Sequence, residues 1–578
     1  MTMENGEIAA VLEDVGMLLQ IQGANPFRIR AYENAARAVE DHAVPLRAMV
    51  ADGADLTELP GIGKDMARYI TELVTTGRLS ILDELTAQIP RSLLELVRLP
   101  GVGPKRARKL WESLGITTLD ALEAAARDGH VAELDGFGAK TQQRILDGIA
   151  KLKERGNRLR LVEADERIAP LLTHLRDQAT IRRVEVAGSL RRRLETIGDI
   201  DLLATAADPG AAMEHFTGFR GVAEVTMSGE TRGSVVLSSG LQVDLRIVPE
   251  ESWGAALQYF TGSKAHNVRV REMAVRKGLK LSEYGLFRAK GGKLIVAETE
   301  DEVYERLGLP WIPPTLREDR GEVEAALNGE LPVLVEEKDI RGDLHTHTDL
   351  TDGVAPLEEM VAVARARKLK YYAVTDHAEL LYMQRMTRDK MLAQRRRLQE
   401  LGDEGGMVLL HGTELNIQPD GSVDWDQGFL DGFDVCVASV HSHFTQSRDE
   451  MTRRIVRALE HPCVNILGHP TARQIGRRPP IDFDVEEVFR AAARTGTALE
   501  INSFPDRLDL NDELVAWARE QDAVFAVDTD AHSPVHLPNI RFGVATAQRG
   551  WVTKAEVINA WPLGKLRRFL AKGRPGRA

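Results

Sequence analysis

Beyond residue 339 the chain repeats one unit: a short apolar run, a loop that opens on a histidine or carboxylate, then an amphipathic stretch. The apolar runs are Tyr372–Val374, Val408–Leu410, Val435–Val440, Val464–Leu467, Ala498–Ile501 and Val524–Val527, alternating with stretches such as Leu357–Leu369 and Val485–Ala493. Strands that alternate with helices pair in parallel, so this half narrows to a parallel barrel or a doubly wound sheet. Nearly every run ends in His, Asp or Glu. Barrel enzymes gather their chemistry at strand C-termini, which favours the barrel.

The beginning of the chain follows another rule. With 578 residues there are too many for one hydrophobic core, and about three to five domains are expected. Residues 1 to about 155 read as helices on short turns, with Ile8, Val11, Leu12, Val15, Leu18 and Leu19 at helical spacing. One motif occurs there three times: Leu59-Pro60-Gly61-Ile62-Gly63-Lys64, Leu99-Pro100-Gly101-Val102-Gly103-Pro104-Lys105 and Leu134-Asp135-Gly136-Phe137-Gly138-Ala139-Lys140. Its glycines begin 40 and then 35 residues apart, which marks duplicated units. Two glycines between helices leave N–H groups at a helix N-terminus, where they hold a phosphate without reading sequence. DNA contacts are therefore expected at Gly61, Gly63, Lys64, Gly101, Gly103, Lys105, Gly136, Gly138 and Lys140, weakest in the third copy, where Asp135 replaces proline.

Composition raises one objection. The formal charge of −12 argues against a phosphate-rich partner. A site built from Asp and Glu makes the sum acidic without altering a basic groove elsewhere. Hydrophobic residues at 43% and charged residues at 28% suit a soluble protein, and no signal peptide or membrane span is expected. Only Cys436 and Cys463 occur, which excludes a disulfide framework and fits a reducing cytoplasm. Ten of the fifteen histidines lie beyond residue 340.

From 156 to 317 strands appear, and Leu241–Val248 alternates strictly, with Asp244 on its polar face. Upstream stand Gly188-Ser189-Leu190-Arg191-Arg192 and Gly198-Asp199-Ile200-Asp201. Asp199 and Asp201 are two apart, so both carboxylates face one side of a strand. Three convergent carboxylates repel unless cations neutralise them. Two divalent ions about 4 Å apart suit in-line attack on phosphorus.

These residues resemble family X DNA polymerases, the group of DNA polymerase beta. The resemblance covers roughly residues 1–317 and includes Tyr259-Phe260-Thr261-Gly262-Ser263 with Asn267 and Arg271. It implies that Asp199, Asp201 and Asp244 hold two Mg²⁺ or Mn²⁺ ions. Gly188, Ser189, Arg192 and Gly198 would bind the dNTP phosphates, and Tyr259 and Phe260 would shape the sugar pocket. Gly262 and Ser263 would join that pocket, Asn267 would face the base edge, and Arg271 the minor groove. Two departures stand out: Lys264 is basic where polymerase beta is acidic and would add a contact to the dNTP phosphates, and Val268 replaces a lysine over the incoming base.

The histidine-rich half supplies Asp343-Leu344-His345-Thr346-His347, Asp352, Asp376-His377, Glu414, His441-Ser442-His443, His469 and Asp530-Ala531-His532. Imidazoles and carboxylates at strand ends suit zinc, manganese or iron, and the number of candidate ligands implies two or three ions. Clustered metals activate water and stabilise a departing oxyanion, which is phosphoesterase chemistry. The series resembles the polymerase and histidinol phosphatase (PHP) domain over residues 339–575. By that resemblance the ligands are His345, His347, Asp352, His377, Glu414, His441, His469, Asp530 and His532. His443, Asp376 and Glu500 fall beside the site without a ligand match.

The two resemblances together imply six segments. These are an N-terminal helical DNA-binding domain at 1–85, a helix-hairpin-helix domain at 86–155, an α+β nucleotidyltransferase palm at 156–258, a thumb-like domain at 259–317, a connector at 318–338, and a distorted (βα)7 TIM-like barrel at 339–575. The order resembles the bacterial and archaeal branch of family X. That branch implies short-gap filling, a 3′→5′ exonuclease and often cleavage at abasic sites; the expected setting is base excision repair on gapped or primer-template DNA with dNTPs, by a cytoplasmic, nucleoid-associated monomer. One alternative is a PHP phosphoesterase whose polymerase half only grips DNA; another is a small-molecule phosphatase. A 5′-deoxyribose phosphate lyase is not expected. Matching the first hairpin puts Tyr69 at the family's lysine position, and Lys64 is the only lysine in residues 1–85.

Overall fold

The computed structural model describes residues 5–40, 46–51, 53–59, 62–97, 99, 102–156, 158–381, 386–402 and 404–572. It forms two compact units. The first is built from residues before Arg158 with the short segment His441–Phe444, and the second from most of the chain after Arg158.

The first unit is helical. The apolar spacing near the start produces helix Asn5–Gln22, with Ile8, Leu12, Val15, Leu18 and Leu19 buried. The three glycine motifs make one repeated turn. Ile62 N–H donates to Leu59 O at 3.1 Å, Val102 N–H to Leu99 O at 3.0 Å, and Phe137 N–H to Leu134 O at 2.9 Å. Each turn opens a helix: Lys64–Thr76, Pro104–Leu114 and Ala139–Gly156.

The second unit begins with a five-stranded sheet of β1 (Ile181–Val186), β2 (Ile200–Ala206), β3 (Val222–Ser228), β4 (Arg232–Leu237) and β5 (Gln242–Ile247), ordered β1-β2-β5-β4-β3. β2 and β5 run parallel, and the remaining pairs are antiparallel. The alternation read over 241–248 appears in β5: Val243, Leu245 and Ile247 are buried. Helix Leu161–Arg176 lays Leu161, Ala164, Ile168, Leu171 and Leu175 into the same core. Helices Trp253–Thr261 and Lys264–Arg276 and a three-stranded antiparallel sheet follow. The segment expected to be a connector holds helix Glu322–Asn328, whose Val323 and Ala326 join the core of that thumb region.

The remainder is the barrel. Seven parallel strands follow one another in chain order: β6 (Gly342–Asp343), β7 (Tyr371–Val374), β8 (Val408–Asn416), β9 (Val435–Ser439), β10 (Ile466–Leu467), β11 (Ala498–Asn502) and β12 (Phe525–Asp528). A parallel bridge between Thr346 and Ala531 nearly closes the ring. Leu344, Tyr371, Leu410, Val435, Ile466 and Ala526 pack in one cluster inside it. The barrel also reaches into the palm, because its Leu508 and Phe542 are buried in the palm's core cluster. Among the described residues no helix is long and apolar enough to cross a membrane.

Candidate active sites

The palm site follows from strand register. β2 and β5 pair in parallel with Asp201 opposite Asp244, so the two carboxylates stand on adjacent strands. Asp199 is exposed immediately before β2. Burial, reinforced by the charges of Asp199 and Asp244, pushes the Asp201 carboxyl up to about 6. Asp199 and Asp244 therefore disfavour the charge on Asp201, the condition that bound divalent cations relieve. Ser234 donates its hydroxyl to one oxygen of Asp244.

The Gly-Ser turn leans on this cluster. Gly188 has φ +55° and opens helix Gly188–Arg191. A Cβ there would stand 2.2 Å from an Asp201 oxygen, so only glycine permits the approach. Ser189 lies in that turn, and Gly198 closes against Arg158. Arg192 is placed differently from a waiting phosphate ligand. Its Nε donates to Glu318 at 3.0 Å and an Nη to the Thr261 carbonyl at 2.5 Å. Tyr259 and Phe260 pack edge to face, with centroids 5.2 Å apart. Gly262 abuts Arg192, and Ser263 caps helix Lys264–Arg276, accepting from His266 N–H. Lys264 and Val268 are exposed. Asn267 is buried, its amide donating to the Tyr259 carbonyl at 2.6 Å and accepting from Gln258 at 2.8 Å. Arg271 donates to the Asn267 carbonyl at 3.2 Å.

The barrel mouth gathers the histidines. His345 and His347 follow β6 and sit fully buried. His347, Asp352, His377 and His532 bring ligand atoms within 4.8 Å of one another, and His345, His347 and Glu414 form a second such group. Glu414 is common ground: His345 Nε2 lies 3.4 Å from it, His347 Nε2 3.5 Å, His377 Nδ1 2.9 Å and His469 Nε2 3.0 Å. Asp530 faces His347 Nε2 at 3.2 Å, and Asp352 faces His532 Nε2 at 3.4 Å. Nε2 of His345 and both ring nitrogens of His347 are buried and have no hydrogen-bond partner among the described residues. Buried imidazole lone pairs turned toward carboxylates are a donor set that fits borderline divalent cations, which would polarise a phosphoester and its attacking water. His469 and Asp530 hold positive φ values of +26° and +51°, local strain of the kind that collects at functional sites. His441 lies two residues beyond the end of β9, in the segment that groups with the helical unit.

The surroundings explain the orientation. Glu500 accepts hydrogen bonds from His345 Nδ1–H at 2.6 Å and from the His469 backbone N–H at 2.5 Å, which leaves Nε2 of His345 facing the cluster. Burial opposes a charge on His345, but Glu500, Glu414 and Asp530 outweigh it and hold its pKa well above the ordinary value. Burial together with His532 and His377 lowers that of His347. Asn502 donates to Asp530 at 3.1 Å; it lies two residues after Glu500 on β11, a spacing that could have revealed it. Asp376 accepts from Thr348 N–H at 2.8 Å and ties down the turn after His347. His443 is exposed.

In the helical unit Gly63 and Gly103 stand at helix N-caps without a side-chain cap, and Lys64 is exposed. Gly138, Lys105 and Lys140 lie at the corresponding starts, while Gly61 and Gly101 lie outside the described residues. The third turn is already engaged. Arg106 donates to the Gly136 carbonyl at 3.0 Å and Lys109 to the Asp135 carbonyl at 2.5 Å.

Known proteins share this arrangement. Models of a helix-hairpin-helix domain, a SAM-like helix-hairpin-helix tandem, the DNA polymerase beta thumb and the PHP domain match residues 3–79, 93–151, 256–318 and 343–504. The DNA polymerase/3′-5′ exonuclease PolX of Bacillus subtilis is 34% identical over 574 residues, covering 99% of this chain and 100% of that protein. DNA polymerase lambda of Rattus norvegicus is 26% identical over 55% of this chain and 57% of its own. A probable phosphatase of Thermoanaerobacter sp. (strain X514) is 28% identical over 39% of this chain and 93% of its own.

Proposed function

Because the chain belongs to the family X DNA polymerases that carry a C-terminal PHP domain, we propose that it fills short gaps during base excision repair and trims 3′ ends in the barrel. The pairing of Asp201 with Asp244 beside Gly188 carries the polymerase half of this reading. Asp199, Asp201 and Asp244 hold two magnesium or manganese ions, and Ser189 with Arg192 receives the nucleotide phosphates. Arg192 does so once the incoming phosphate competes with Glu318 for its guanidinium. In the barrel the nine ligands named above hold two or three ions, manganese foremost, and the helical unit grips the DNA backbone.

The DNA-grip alternative loses weight because a merely structural palm has no need of three mutually repelling carboxylates. The small-molecule phosphatase reading leaves the repeated hairpins without a purpose. Incubating the protein with gapped, end-labelled DNA and manganese tests the proposal: extension with dNTPs and shortening without them are expected. Shortening in both conditions would return the palm to a grip. Cleavage at abasic sites belongs to the barrel in this reading, and its loss in a His345 variant is the corresponding observation.

A further inference from the structure

One guanidinium at the barrel mouth has no place in the roles above. Arg507 lies on the loop after β11, is partly buried, and brings Nε to 3.7 Å from an oxygen of Asp530. Among the described residues its side chain donates no hydrogen bond, although an arginine offers five N–H groups. Asp530 divides its two oxygens: one faces His345 and His347, and the other faces Asn502 and Arg507. Arg507 therefore stands beside the Asp530 oxygen that does not face His345 and His347. Elsewhere in the cluster the side chains of Asp352 and His532 are partly exposed.

The loop is held in place by two domains. Arg473 donates Nε to the Arg507 carbonyl at 2.9 Å and an Nη to the Leu508 carbonyl at 2.5 Å. The same guanidinium pairs with Glu195 of the palm at 2.6 Å. Arg160 of the palm pairs with Asp506, and Leu508 is buried in the palm core. Asp506 and Leu508 are thus fastened to the polymerase domain, and Arg507, between them, approaches Asp530 of the barrel cluster.

We propose that Arg507 is a catalytic residue of the nuclease. It binds the non-bridging oxygens of the scissile phosphodiester through its planar fork, while Glu195 and Arg160 are positioning residues that act through the loop. A phosphodiester carries a permanent charge and two equivalent oxygens, which a guanidinium matches with two parallel hydrogen bonds. Binding at this point fixes the phosphorus beside the ions that would activate water, and it strengthens as charge accumulates on the phosphoryl oxygens. The proposal rests on the reading of the barrel as the 3′→5′ exonuclease.

The test uses the full chain, manganese and a 5′-labelled single-stranded oligonucleotide. Arg507→Met should lower kcat/KM for 3′ degradation roughly tenfold to a hundredfold, the scale of a lost charge-assisted hydrogen bond. Its manganese stoichiometry, measured calorimetrically, should equal that of the unaltered protein. Arg507→Lys should recover part of the loss, since it restores charge without the fork. Glu195→Gln should lower kcat/KM about threefold to tenfold with metal binding intact, as expected for a loosened positioning contact. Degradation by Arg507→Met within twofold of the unaltered protein would overturn the proposal. So would loss of manganese from that variant, which would make Arg507 a structural brace of the cluster. An unaffected Glu195→Gln variant would overturn the palm's part in it. An unaltered protein with no manganese-dependent shortening would remove the exonuclease reading and the proposal together.

Discussion

The palm and the barrel each gather groups suited to divalent cations, with opposite electrostatics. The palm gathers like charges: Asp201 is pushed up to about 6 by burial and by its two acidic neighbours. The barrel interleaves opposite ones. Burial opposes the ionised form of Asp352, but His377, His532 and His347 more than compensate and hold it well below the usual carboxylate range. In the palm the charge of Asp201 is opposed by its neighbours, whereas in the barrel the charge of Asp352 is favoured by the histidines around it.

The largest effects should separate the two sites cleanly. Asp201→Ala is expected to reduce primer extension by about three orders of magnitude or more, as when one member of a catalytic unit is lost, and to leave 3′ shortening intact. Replacing His345 and His347 together with Ala should do the reverse. Either variant losing both activities while still folded would break the comparison, and gel assays on one labelled duplex read both.

A stability measurement in chelator sharpens the contrast. Asp201 binds its proton more tightly folded than unfolded, so its contribution is fully present below the unfolded value of 3.8 and is lost as pH rises through about 6. Asp201→Asn should therefore stabilise the metal-free protein at pH 7, by at most about 3 kcal/mol. Glu500→Gln should instead destabilise it by about 2 kcal/mol, because a buried acceptor serving His345 and the His469 N–H is weakened. Urea titrations in EDTA would show shifts of opposite sign; shifts of the same sign would mean the sites are alike.

Smaller effects test the shared grip. Gly103→Val should weaken DNA binding about tenfold for every sequence alike, since the contacts are to phosphates, and should slow both activities equally. Gly138→Val should cost less, because Arg106 and Lys109 already occupy that turn. The smallest expected signal is none. Borohydride should trap no adduct on an incised abasic substrate, since Tyr69 cannot form an imine and stacks against Tyr32 with centroids 6.0 Å apart. An adduct that disappears in Lys64→Ala would assign the helical unit a chemistry of its own.

Much of this was legible in local pattern. Period-two alternation placed Asp244 on the polar face of β5, and the strand-end pattern singled out His345, His347, Asp352, His377, Glu414 and His532, whose ligand atoms the fold brings together. What local pattern cannot carry is a partnership across hundreds of residues. Nothing near Arg192 indicates that Glu318 holds it, and nothing near Glu195 indicates Arg473. Asp376 and Glu500 look alike in sequence; only the fold sends one to a threonine turn and the other to His345. The segment 318–338 read as a connector because its helix is seven residues long, rich in Glu, and buries only a few apolar side chains.

Leu508 and Phe542 also set a timetable. The palm's own strands are complete at Ile247, yet its core includes two side chains that lie about 260 and 295 residues later. At a synthesis rate of about 5–20 residues per second, the palm waits roughly 15–60 s with part of its apolar face uncovered. A nascent chain in that interval presents a surface suited to chaperones and to aggregation, and a message truncated before codon 508 yields a palm that never completes its core.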